Sequence, residues 1–439
     1  MMKHRLMVAC SLLLLLLPGS AAAEQYNYID ISNPFLRKIP IALPQFQAAA
    51  DDAAAVAAAK ATTKLMADYL TFTDYFTLSD PAAFLEDPQK MDVTGAAIHY
   101  RNWTAIGAEL LVTGKVVVKD GSAIFDLRLF DTIKQKMLVG KRYIGSADDT
   151  RQVARRFCSE IVFAITGNRG FFDSKIAFIS NGTGHKEIYI CDFDGTNIKR
   201  FTHRNTISLF PHWSTDGRWI AYTTYAGSGP KICIQNVNEN RTAWIHKPGL
   251  QEAAAWVPGK FQLAASLSFS GDQEIYLLTG NGKIIKRLTN SVGIDVEPTW
   301  SPDGKRMAFV SKRSGTPQIY ILNTVSGRVQ RLTFEGHYNT QPSWSPKGDK
   351  IAYSSMINGV LDIFTINPDG GDPMQLTKNQ GRNEAPSWSP DGSLIAFSST
   401  REGKSRIYVM TAYGTDQRRL LTLPGEQTNP EWSPNILNP

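Results

Sequence analysis

Short apolar runs framed by turn residues recur along the C-terminal part of this chain. Strands reading Ile-Ala-Phe or a close variant begin at Ile176, Ile220, Leu263, Met307, Ile351 and Ile395. A tryptophan marks a second register: Trp213, Trp256, Trp300, Trp344, Trp388 and Trp432 are separated by 43, 44, 44, 44 and 44 positions. The best copies read PTWSPDGKRMAF from Pro298, PSWSPKGDKIAY from Pro342 and PSWSPDGSLIAF from Pro386. PHWSTDGRWIAY from Pro211 is looser, and AAWVPGKFQLAA from Ala254 is degenerate. Pro-Asp-Gly predicts a tight turn after the Trp strand, because Pro presets φ and Gly accepts positive φ. A hairpin loop such as Ser314-Gly315-Thr316 then leads to a third strand, Ile319-Tyr320-Ile321. A fourth ends in Arg-Leu-Thr, at Arg287–Thr289 and Arg331–Thr333. Four short strands in about 44 residues make one propeller blade.

The phase of the repeat predicts how the ring closes. The first apolar strand, at Ile176, has no Trp strand before it, and the last Trp, at Trp432, has no apolar strand after it. Six blades are thus cut between their first and second strands. The Trp432 segment is expected to complete the sheet begun at Ile176, removing free edges.

Residues 24–168 lack the repeat and predict a small α/β domain. Over Gln47–Leu70, Val56, Ala59, Thr63, Met66 and Leu70 recur at helical spacing. Leu110–Lys119, Ala123–Asp131 and Gln135–Ile144 read as strands, with Asp120-Gly121 a hairpin turn between the first two. Asp148–Thr166 reads as a helix with Val153, Phe157, Ile161 and Ile165 on one face. The fold expected is an α+β N-terminal domain (24–168), then an all-β six-bladed propeller of four-stranded blades (169–439).

Residues 1–23 resemble a secretory signal peptide: Lys3 and Arg5, an apolar run from Leu6 to Leu17, then Ala21-Ala22-Ala23. Cys10 precedes the leucine run instead of ending it, which argues against a lipid anchor. Net charge is +7, of which Lys3 and Arg5 carry two. No long basic run stands out, so nucleic acid is not an expected partner. Cys158, Cys191 and Cys233 fit no metal spacing. They read as buried thiols, with a Cys191–Cys233 bridge left open.

Catalytic motifs are missing. There is no G-x-S-x-G elbow and no H-E-x-x-H, so neither metal nor cofactor is expected. Asp192–Asn197 hints at a calcium loop but lacks the downstream Glu, and it falls where a hairpin turn belongs. Polar residues do gather before the Trp strands: Glu252, Glu297, Gln341, Glu384 and Asn429, with His337, Arg382 and Asn383 in the same loops. The first strand of a blade is innermost, so these loops ring one mouth of the central channel, a common binding place. A channel enzyme, a hydrolase or lyase, is the alternative, with Glu297 and His337 its best acid/base candidates. The start of the expected mature chain, Glu24-Gln25-Tyr26-Asn27-Tyr28-Ile29-Asp30-Ile31, alternates side chains as a strand does. It suits either the domain's own sheet or a partner's edge.

The leader, the small α/β domain and six WSPDG-type repeats together resemble the TolB family of the Tol-Pal system. The stretch from Tyr26 through Ile29-Asp30 to Pro40-Ile41 and Pro44-Gln45-Phe46 is similar to that family's amino terminus. The resemblance implies a non-enzymatic periplasmic protein without cofactor. It implies docking of the lipoprotein Pal at the propeller mouth, with Glu297 in the matching loop and His337, Gln341, Arg382, Asn383 and Glu384 around it. It implies binding of the periplasmic domain of TolA through residues 24–35, Tyr26, Tyr28, Ile29, Asp30 and Ile31 among them. Such a protein supports outer-membrane integrity and constriction at division.

Overall fold

The computed structural model describes residues 37–436 apart from residue 228, without the side chains of 253 and 254. The expected leader and the segment Tyr26–Ile31 lie outside the described residues.

The N-terminal domain is a five-stranded sheet with three α-helices. Its elements are β1 (Ile39–Ala42), α1 (Ala53–Phe72), β2 (Phe76–Leu78), α2 (Tyr100–Ala105), β3 (Leu110–Lys119), β4 (Ser122–Asp131), β5 (Lys136–Gly145) and α3 (Thr150–Thr166). The sheet order is β2-β1-β3-β4-β5, with β1 parallel to both neighbours. Asp120 and Gly121 both take positive φ, +51° and +77°, as a two-residue type I′ hairpin requires.

Helix α1 starts later than its apolar spacing predicts. The Asp52 carboxylate accepts the Ala55 N–H at 2.9 Å and caps the helix there. Gln47 is instead tied to β3 through Gly114 and Val116. Of the expected face, Ala59, Thr63, Met66 and Leu70 are buried, but Val56 is exposed at the first turn. Helix α3 ends at Gly167, whose φ of +74° supplies the left-handed cap.

The propeller has six four-stranded sheets. In blade 1 the last strand, Gln427–Trp432, pairs antiparallel with Lys175–Ser180, Trp432 opposite Ile176. The threonine of the Arg-Leu-Thr signature and its counterpart Thr377, after Gln375-Leu376, have a physical role within the blades. Thr289, Thr333 and Thr377 donate to Glu274, Gln318 and Asp362 at 2.6–2.8 Å. Each hydroxyl also accepts the next residue's N–H at 2.9 Å. The fourth strand is thereby fastened to the third by fully paired buried polar groups.

The tryptophans pack between blades, and most also bond across them. The indoles of Trp213, Trp256, Trp300 and Trp388 donate to the carbonyls of Glu431, His212, Ala255 and Ser343 in the preceding blade, at 3.0–3.2 Å. Trp344 instead meets Gly348 of its own turn, and Trp432 meets Ser174 Oγ at 2.7 Å.

One apolar core joins α1 and α3 to blades 1 and 6 through Phe171, Phe172, Phe193 and Trp432. Arg151 of α3 reaches across it to Asp194 (2.8 Å), Thr196 (2.9 Å) and the Tyr69 hydroxyl (2.8 Å). The Asp192–Asn197 loop is thus a turn whose carboxylates meet cations, Asp192 pairing with Lys175 at 2.7 Å. Cys158, Cys191 and Cys233 are buried free thiols, so the Cys191–Cys233 bridge is not formed.

Candidate functional site

In an antiparallel blade the turns joining strands one to two and three to four share one face, and the blade-to-blade loops share the other. The N-terminal domain touches the first face, through Asp194 and Arg418. The opposite mouth, ringed by the loops that precede the inner strands, is left to other uses.

The inner strands are Ser208–Trp213, Gln251–Trp256, Asp295–Trp300, Asn339–Trp344, Asn383–Trp388 and Gln427–Trp432. Each carries a break in register three residues before its Trp. At that position Phe210, Glu297, Gln341, Ala385 and Asn429 take φ of +49° to +55°. None is glycine, so each costs on the order of 1–2 kcal/mol. The bulge turns this residue toward the axis, and the residue before the Trp follows it there two positions later. These two tiers enclose a cavity of about 220 Å³.

The upper tier is stitched around the ring. Glu297 Oε2 accepts the Gln341 N–H at 2.6 Å, and Gln341 Oε1 accepts the Ala385 N–H at 2.9 Å. Each side chain thus satisfies the bulged amide of the next blade. The lower tier includes His212 and Glu431, whose Nδ1 and Oε1 are 3.4 Å apart, and Ser387 Oγ lies 3.3 Å from Glu431. Burial in the wall pushes the Glu297 carboxyl up from 4.5 to about 7. The nearby charge of Glu252 adds to the rise, while the Gln341 N–H and His212 oppose it.

The residues singled out from sequence divide into three groups. Glu297 and Gln341 line the cavity, together with Asn429. His337 and Arg382 are exposed on the rim loops, and Arg382 pairs with Glu384 at 3.1 Å. His337 does not line the cavity, so it forms no acid/base couple with Glu297 there. Asn383 is fully buried: its amide donates to Asp362 at 2.9 Å and its oxygen accepts from Arg401 at 3.2 Å. Glu384 and Glu252 are one residue out of register with Glu297. In blade 6 the axial place belongs to Ala385. Sequence reading missed His212 and Glu431, although counting alternate positions back from each Trp would have found them.

No grouping of three or more His, Cys, Asp or Glu suited to a metal occurs among the described residues. The site is a funnel with polar side chains in its wall and one carboxyl, Glu297, whose ionisation burial moves up to about 7. It suits recognition of a partner's protruding groups.

Known proteins agree with this architecture. The TolB beta propeller domain matches residues 163–436, and the TolB amino-terminal domain matches 27–138. "Tol-Pal system protein TolB" of Desulfosudis oleivorans is 56% identical over 293 residues, 67% of this chain and 66% of that protein. "Protein TolB homolog" of Chlorobium chlorochromatii is 42% identical over 296 residues, 66% of each. The aligned part thus spans just under two thirds of either relative. The crystal structure of TolB from Acinetobacter baumannii superposes with a TM-score of 0.79 at 27% identity, covering 91% of this chain and 97% of that one. With both domain families matched in order and the six-bladed ring in place, the chain belongs to the TolB family.

Proposed function

We propose that this protein is a non-enzymatic periplasmic scaffold of the Tol-Pal system. The peptidoglycan-associated lipoprotein Pal docks at the open channel mouth, on Glu297 and Gln341 within and on His337, Arg382 and Glu384 at the rim. Asn383 acts from inside the blade by positioning that rim. Tyr26, Tyr28, Ile29, Asp30 and Ile31 bind the periplasmic domain of TolA. The assembly supports outer-membrane integrity and envelope constriction at division. The reading is carried by Glu297, held in a strained bulge at the axis on the face away from the N-terminal domain. Strain retained at one such place is a sign of a binding role.

The test is calorimetric titration of residues 24–439 with the periplasmic domain of Pal. Saturable binding is expected, weakened about tenfold or more by Glu297→Ala, since a hydrogen bond to a charged group contributes roughly 1.5–3 kcal/mol. His337→Ala should weaken it less. No binding by the unaltered protein would overturn the assignment. A second reading rests on the cavity's chemistry: Glu297, titrating near 7, shares it with the His212–Glu431 pair, as in an acid/base enzyme. Turnover of envelope glycans lost in Glu297→Ala would favour that reading.

A further inference from the structure

A lateral cleft of about 450 Å³ opens between blades 4 and 5, away from the channel. Its polar lining includes Arg306, Arg328, Arg331, Asn323, Ser326 and Gln330. The internal repeat shows why this lining is unusual. In blade 1 the second strand opens with Lys175, which pairs with Asp192 directly opposite. In blade 4 the corresponding Arg306 stands opposite Asn323. In blades 1 and 3, Arg200 and Arg287 pair with Glu187 and Glu274 at 2.8 and 2.9 Å. In blade 4, Arg331 finds Gln318 at that place, whose amide oxygen already accepts from Thr333 and Asn339.

At these two places blade 4 carries the amides Asn323 and Gln318 where blade 1 carries the carboxylates Asp192 and Glu187, and its cations are the guanidinium groups of Arg306 and Arg331. Arg328, on the same turn, adds a third. Arg331 Nε donates to the Thr333 carbonyl at 2.7 Å. Asp303 senses Arg306, but its Oδ1 is taken by Ser301 and the Lys305 N–H. The Asn323 side-chain oxygen is likewise taken, by the Val325 and Ser326 N–H groups. The Arg306 guanidinium carbon lies 5.0 Å from the centre of the Trp344 ring, a cation–π contact that helps to hold it in place. A planar guanidinium with unmatched N–H donors binds an oxyanion in a two-pronged fashion.

We propose that this cleft binds a small phosphate-bearing ligand, gripped by Arg306 and Arg328, with Gln330 beside them and Arg331 adding to the positive field. The probe is inorganic pyrophosphate, titrated calorimetrically into the full chain at low and at moderate salt. Saturable binding is expected, weakening as salt rises. Arg306→Gln and Arg328→Gln should each weaken it about tenfold, Arg306→Lys by less because charge stays and the fork is lost. Arg101→Gln, on the N-terminal domain, should leave it unchanged. Circular dichroism confirms that each variant is folded. Unchanged affinity in both Gln variants, or no saturable heat with the unaltered protein, would overturn the proposal. Co-sedimentation with phosphatidylcholine vesicles carrying or lacking phosphatidate then separates a lipid headgroup from a free phosphate ester as the source.

Discussion

Replacing Glu297 by Gln should stabilise the protein progressively as pH rises above about 4.5, and most at and above neutral pH. The carboxyl ionises at about 7 in the folded chain against an ordinary 4.5. Between those values the folded state holds a proton that the unfolded state has released, so stability falls as pH rises. The penalty is absent below 4.5 and complete above 7. Its size follows from the shift, about 3 kcal/mol, which partial water access in the channel reduces to roughly 2 kcal/mol. Glutamine removes the charge and keeps the acceptor for the Gln341 N–H. The molecule contains the precedent, since Gln341 serves Ala385 in the same way one blade on, at 2.9 Å. Thermal unfolding of Glu297→Gln against the unaltered protein should show a gain of roughly 4–8 °C at pH 8 and almost none at pH 4.5. An equal gain at both pH values, or a loss at pH 8, would refute the electrostatic account. If the carboxylate is kept for a partner, the same variant binds Pal more weakly while being more stable, the usual trade at functional sites.

Trp388→Phe should cost about 1–3 kcal/mol in urea unfolding, because the Ser343 carbonyl loses its donor from the neighbouring blade. Trp344→Phe should cost less, since its indole only meets its own turn at 3.4 Å; equal losses would show that ring volume and not the cross-blade bond matters. Asn383→Ala should destabilise by about 1–3 kcal/mol, leaving Asp362 Oδ1 short of a buried donor. Its Pal affinity should fall by less than that of Glu297→Ala, because Asn383 positions the rim from within, and a large affinity loss without a stability loss would place Asn383 on the contact surface.

Much of this architecture was legible in the linear chain because a blade is a local object. Its four strands, its Pro-Asp-Gly turn and its Trp all fall within about 44 residues, and burial imposes the same pattern six times. The hairpin at Asp120-Gly121 and helix α3 were legible for the same reason: local rules of turn and helix decide them. The parallel strand β1 was not, because its partners β2 and β3 lie far along the chain and its four residues carry no periodic signal.

The site was legible only in outline. A ring of polar loops followed from the repeat, but which side chains face the axis depends on a bulge. That bulge places non-glycine residues at positive φ, which no residue type announces. One position of slip therefore sends Glu384 to the rim and Ala385 to the axis, while Glu297 and Gln341 stay inside. Asn383 reads as a surface polar residue until Asp362, from another strand of its neighbour blade, is seen to claim it. The sequence by itself determined the period, the number and the phase of the blades, because these rest on short-range burial and turn chemistry. Only the tertiary structure decided which polar groups face water, face the channel or face one another, because that depends on contacts between blades that no local pattern encodes.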